Sequence, residues 1–182
     1  RFESPGAGVD PAALDRLVDF AVGIARRFSE AIEGVPAPAM ARGWVPAWRS
    51  FASRIRGRFE PGRVWIEAGD WGGRRLSMGL SWRSATVPDC TTIRVALERP
   101  IEETVSGALN DPSGAHDKGL SEVARACAAS LRAKGALGTG DSALVLVIDG
   151  AVEDPAAVEE QIETLARLAR VLEGSADRGP FR

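Results

Sequence analysis

The sequence predicts an α+β fold in a single domain, with a mostly antiparallel four-stranded sheet packed by long N- and C-terminal helices. Three observations carry that prediction. Apolar residues recur at helical spacing near 11–33 and again near 155–173. Between them the period drops to two in three consecutive segments, near 63–68, 74–83 and 91–98. A fourth segment, 143–148, is apolar without interruption, as expected of a strand covered on both faces and interior to the sheet. A chain of 182 residues suits one domain, and an apolar fraction of 45% is enough to bury a core. Residues 1–9 and 175–182 read as flexible tails.

The first helix opens with Asp10-Pro11, an N-cap followed by a proline that tolerates the first helical position. Leu14, Leu17, Val18, Ala21, Ile24, Ala25, Phe28 and Ile32 then share one side, with Asp15, Arg16, Asp19, Arg26, Arg27 and Glu30 on the other. Gly34, Pro36 and Pro38 end it. A loop through residues 34–47 leads to a shorter helix across 46–57, with Trp48, Phe51, Ala52 and Ile55 on its apolar side.

In the first strand Val64, Ile66 and Ala68 alternate with Arg63, Trp65 and Glu67. Gly69-Asp70-Trp71-Gly72-Gly73 has hairpin chemistry, in a form longer than the tight two-residue turn. On the returning strand Leu76, Met78, Leu80 and Trp82 point one way, and Arg75, Ser77, Gly79, Ser81 and Arg83 the other. After a break at Pro88-Asp89, Ile93, Val95 and Leu97 alternate with Thr92, Arg94, Ala96 and Glu98. A short helix at 101–109, a loop at 110–114 and a helix at about 119–134 follow, and Gly138-Thr139-Gly140-Asp141 reads as a loop before the buried strand. The connection from the third strand to the fourth is long enough for a crossover, which leaves a parallel pairing open. The last helix starts at Asp154-Pro155. It shares Asp-Pro-Ala-Ala and matching apolar positions with the first helix, as expected of the same capping solution reached twice or of an internal duplication.

Composition excludes several classes of function. The longest unbroken apolar run, Ala143–Ile148, is far short of the ~18–20 residues of a membrane span. Two cysteines, Cys90 and Cys127, cannot build a disulfide framework or a four-thiolate zinc site, and a single histidine, His116, rules out a multi-histidine centre. No metal or cofactor is expected. The formal charge is −2, unevenly spread: residues 41–84 hold nine arginines against three acidic residues, and all five tryptophans fall in the same stretch. Arginine enrichment is also what a GC-rich bacterial genome produces. Two unpaired cysteines suit a reducing, cytoplasmic compartment. The chain begins at Arg1 rather than Met, as expected of a processed product or a fragment, which leaves a removed leader or an upstream anchor open.

Three functional readings compete. The alternation of residues 63–98 puts Arg63, Trp65, Arg75, Arg83 and Arg94 on the sheet face opposite the core, with Ser77, Gly79 and Ser81 leaving it flat. Because Trp and Arg anchor interfaces, that face reads as the docking surface of a non-catalytic module for a protein or a small ligand. The same residues could stack unpaired bases and neutralise phosphates, so single-stranded nucleic acid is the alternative, although no RNP-like motif or helix-turn-helix pattern accompanies them. The second alternative is a cysteine-dependent enzyme using Cys90 as nucleophile and His116-Asp117 as base and orienting carboxylate. Cys127, on a helix's apolar side, reads as packing. Gly135–Asp141 precedes a strand, whereas a phosphate-cradling loop follows one, and Asp149, Glu153 and Asp154 are explained by turn and capping roles. Free sheet edges leave homo-oligomerisation open.

Overall fold

The computed structural model describes residues 11–33, 35–84, 87–140 and 142–176. The chain divides into two compact units, residues 1–36 and residues 37–182. In the first, the expected helix is present as α1 (Pro11–Glu33). Of its apolar residues, Leu14, Leu17, Val18, Phe20 and Ile24 are about half exposed or more. Periodicity shows that a helix has an apolar side, and it does not show what covers that side.

The second unit carries α2 (Val45–Arg54), β1 (Arg58–Glu60), β2 (Trp65–Trp71), β3 (Arg74–Ser84) and β4 (Val87–Ala96). These are followed by α3 (Glu103–Asn110), α4 (Glu122–Arg132), β5 (Ala136–Gly140), β6 (Ala143–Asp149) and α5 (Glu159–Ala176). The architecture is α+β with one antiparallel sheet. It has six strands rather than four, in the order β1-β2-β3-β4-β6-β5. The two additions are β1, three residues pairing with β2, and β5, which the glycines at 138 and 140 disguised as a loop. Of the expected tails, residues 1–9 and 177–182 lie outside the described residues, and Ser175 and Ala176 form the last turn of α5.

The first expected strand begins later than its alternation suggested. Arg63 and Val64 belong to a turn, and Val64, though buried, has a φ of +50°. That left-handed conformation is costly for a β-branched residue and turns the chain into β2. The β2–β3 connection is the tight two-residue hairpin, with Trp71 paired to Arg74 and φ positive at both Gly72 and Gly73, as a type I′ turn demands. Pro88 and Asp89, expected as a break, lie inside β4.

β6 lies between β4 and β5, so it is interior as expected, but it runs antiparallel to β4. The long crossover does make a parallel relation. It joins β4 to β5, and β6 hairpins back to fill the gap between them.

The core lies on one side of the sheet. Ile66, Leu76, Met78, Ile93, Val95, Leu144 and Leu146 are fully buried there, against Leu131 of α4 and Ile162, Leu165 and Leu168 of α5. Ser121 caps α4, its hydroxyl accepting from the Ala124 amide at 3.2 Å. Asp154 accepts from the Ala156 amide at 3.0 Å, the capping role expected of it. At the β2 end, Phe51 of α2 stacks on Trp71 with centroids 6.0 Å apart. The Trp71 indole donates to Glu163 at 3.0 Å, and this bond, with Arg170 beside it, holds the Glu163 carboxyl below its ordinary pKa. Trp48 is fully buried and donates to the Val152 carbonyl at 3.2 Å. Trp82 is half-buried against the core, as its phase with Leu76–Leu80 predicted.

One ion pair is buried. Arg74, at the start of β3, pairs with Glu173 of α5, and neither exposes more than 9% of its surface. The Glu98 amide donates to the same carboxylate at 2.5 Å, and Arg74 donates to the Ala96 carbonyl at 3.3 Å. Burial opposes ionisation of Glu173, but the Arg74 guanidinium and the amides of Glu98 and Arg99 outweigh it and hold the carboxyl below its ordinary value.

Candidate docking face

The side chains that alternate with the core residues form the second face of the sheet. Strand register lays them out in two rows. One runs Trp65, Gly79, Thr92, Val147, Ala136 across five strands, and the next runs Ser77, Arg94, Val145, Gly138. Glu67 extends the second row, its carboxylate accepting from the Ser77 hydroxyl at 3.1 Å. Trp65, Thr92, Arg94, Val145 and Val147 are all half-buried. α4 and α5 pack on the Leu76/Ile93/Leu146 side, whereas α3 lies against β5, where Asn110 accepts from the Thr139 amide at 2.8 Å and fills the space beside Gly138 at the end of the second row.

Valines 145 and 147 correct the sequence reading of β6. The strand is apolar on both sides and is covered on only one, because Leu144 and Leu146 are buried while the valines are not. They were missed as surface residues because an unbroken apolar run carries no period. The only cue was that the larger leucines alternate with smaller, β-branched valines.

Trp65 lies flat on the sheet. A Cβ at residue 79 would fall 2.2 Å from Trp65 Cε3, so glycine is required for the indole to rest on β3. The indole N–H donates to Glu67 at 2.6 Å, and the Arg63 guanidinium carbon sits over the ring, 5.3 Å from its centroid. Arg63 reaches this position from the turn before β2 and also pairs with Glu60 at 3.6 Å.

The five residues expected to form the surface do not make one cluster. Trp65 and Arg94 occupy the middle of the face, and Arg63 joins them through the indole. Arg75 is exposed at the hairpin end of β3, across from Asp70. Arg83 is exposed near the opposite end and pairs with Asp89. Eight residues of strand separate Arg75 from Arg83, about 27 Å at ~3.4 Å per residue. The face is thus a mixed one: two valines on β6, Thr92 and Arg94 beside them on β4, and a Trp–Glu–Arg group at the border.

Cys90 and His116 are not brought together. Cys90 is half-buried in β4 between Ser81 and Asp149. His116 is exposed in the α3–α4 loop, and its Nδ1 lies 2.8 Å from Asp111. Bonds from Ser113 first, then from His116, hold the Asp111 carboxyl far below its ordinary pKa. Asp117, expected as the orienting carboxylate, is instead gripped by Arg132 of α4 at 2.6 and 3.1 Å. Cys127 is buried, as its place on the apolar side of α4 predicted. Among the described residues, no helix is long and apolar enough to cross a membrane.

No family model matches the chain, and no match is found among the curated proteins or the solved structures.

Proposed function

We propose that residues 37–182 form a non-catalytic docking module that binds a protein segment through the outer face of its sheet. The observation that carries this reading is that two side-chain rows, crossing β2 through β5, keep part of Val145, Val147, Trp65 and Arg94 in solvent. An antiparallel sheet normally places polar side chains on its solvent face. Paired valines in that position raise the cost of leaving the face bare, by ~25 cal/mol for each Å² of apolar surface in water. The partner's chemistry follows from the lining: an apolar segment that covers Val145 and Val147 and reaches Trp65.

Nucleic acid fits the same residues less well. A stacking platform needs a free aromatic face beside unopposed cations. Here the Arg63 guanidinium lies over the Trp65 ring, and the Glu67 carboxylate sits on its edge, where it would repel a phosphate.

A photo-crosslinking residue placed at position 92 or 147 tests the proposal in the native cell. We expect capture of one discrete protein from these positions and none from position 160, exposed on α5. Binding of that protein should weaken at least tenfold in Arg94→Glu. Capture that is equal from position 160 and position 147, or absent from both, contradicts the docking reading. Quenching of tryptophan emission by oligo(dT), lost with salt and in Trp65→Ala, would favour nucleic acid instead.

A further inference from the structure

We infer that α1 is a self-association element, pairing antiparallel with α1 of a second copy of this chain. The helix spans 23 residues, about 34 Å, and presents apolar residues at positions 14, 17, 21, 24, 28 and 31. That spacing of 3, 4, 3, 4, 3 is the seam of a helix pair, in which two facing positions recur every seven residues. Val18 and Phe20 flank the seam, and Asp15, Arg16, Asp19, Arg26 and Glu30 fall on the far side.

Three arguments select a second copy as the occupant. The first is area. Leu14, Leu17, Val18, Phe20 and Ile24 are between 49% and 69% exposed, on the order of 500 Å² of apolar surface per copy. Two copies together reach ~1,000 Å², the threshold for a specific interface and the size of a reversible one. The second is self-complementarity. A two-fold interface requires that where residue i meets j, j also meets i. An antiparallel register centred between residues 22 and 23 satisfies this: by sequence position Ile24 is set against Ala21 of the second copy and Leu14 against position 31, an alanine, while Leu17 is set against position 28, a phenylalanine. A parallel pair would instead set alanine against alanine at positions 21 and 31. The same register brings Phe20 of one helix beside position 27 of the other, an arginine, where a cation can lie on the ring. The third is charge. From Asp15 to Glu33 the polar side carries four acidic and three basic residues, whereas a helix that lies on an anionic lipid surface is rich in Lys and Arg.

The test is the mass of the full chain in solution, measured by light scattering across a range of concentrations from 1 to 100 μM. A dimer is expected at micromolar concentration. Ile24→Glu should raise its dissociation constant at least tenfold. All five tryptophans lie between residues 44 and 82, so their emission reports the fold of residues 37–182 independently of α1, and it should be unchanged in the variant. Oxidising a mixture of Leu14→Cys and Ala31→Cys chains, each with Cys90→Ser, should give a crosslinked heterodimer in preference to either homodimer. A chain that stays monomeric at 100 μM overturns the inference. So does a dimer that Ile24→Glu leaves intact, which would place the interface elsewhere.

Discussion

Replacing Glu173 with alanine is expected to lower the free energy of unfolding by about 3–5 kcal/mol, because it leaves the buried Arg74 guanidinium without its counter-charge. The pair joins the first residue of β3 to the last turns of α5, and the carboxylate also satisfies the amides of Glu98 and Arg99, where the chain leaves β4. Alanine therefore orphans one cation and two backbone donors at once. Urea unfolding followed by tryptophan emission reads the loss. Glu173→Gln should cost less, since its amide oxygen can still accept. The paired replacement Arg74→Met with Glu173→Leu should recover most of the stability, because an ion pair exchanged as a unit for apolar residues is often neutral. The contribution also depends on pH. The folded carboxyl sits below its ordinary value of 4.5, so the unfolded state binds the proton more readily. The stabilisation is fully present above that ordinary value and is lost as pH falls through the lower, folded one. In Glu173→Ala the loss of stability between pH 5 and pH 3 should be shallower than in the parent chain.

Gly135→Ala is expected to be the most disruptive of the small substitutions, destabilising by roughly 2–3 kcal/mol. A Cβ there would fall 2.2 Å from the Val147 carbonyl oxygen and 2.9 Å from its carbon. Those are backbone atoms of the neighbouring strand, so neither can rotate away as a side chain would. Gly79→Ala meets Trp65 at the same distance and the Val64 carbonyl oxygen at 2.8 Å, so the indole must lift and the turn before β2 must shift, which costs stability and disturbs the docking face together. Thermal unfolding should place both variants below the parent chain, with Gly135→Ala, whose closest contact is backbone, the lower. A red-shifted emission from Trp65 should appear only in Gly79→Ala.

These two glycines mark what was legible in the sequence. Strict alternation identified β3 because every second residue, Leu76, Met78 and Leu80, needed burial while Ser77 and Gly79 did not. The same rule failed at β5, where Gly138 and Gly140 leave the alternation almost without side chains to show it. It also failed at the start of β2, where Val64 keeps the right residue type but has a left-handed backbone. The start of the last helical segment was legible because its cap, Asp154, acts locally, whereas Ser121, the cap of α4, went unread and that helix was expected from about 119. Periodicity located α1 by its apolar side, and it does not by itself show what covers that side.

The candidate face was half legible. Trp65 and Arg94 follow from phase alone, whereas Val145 and Val147 were hidden in an apolar run. Arg75 and Arg83 share the parity of the face and are held apart at the two ends of a long strand. No local pattern shows that Asp117 is engaged by Arg132, because that contact spans fifteen residues of chain.

The central claim is that the outer face of the sheet is bare and available, and a thiol placed at its centre tests this most directly. Thr92 lies in the row between Gly79 and Val147. In Thr92→Cys with Cys90→Ser, the new thiol should react with a disulfide reagent within about tenfold of the rate of an unfolded control, under conditions where buried Cys127 is unreactive. Protection of the residue 92 thiol to the level of Cys127 would mean that this face is covered, and would contradict the account.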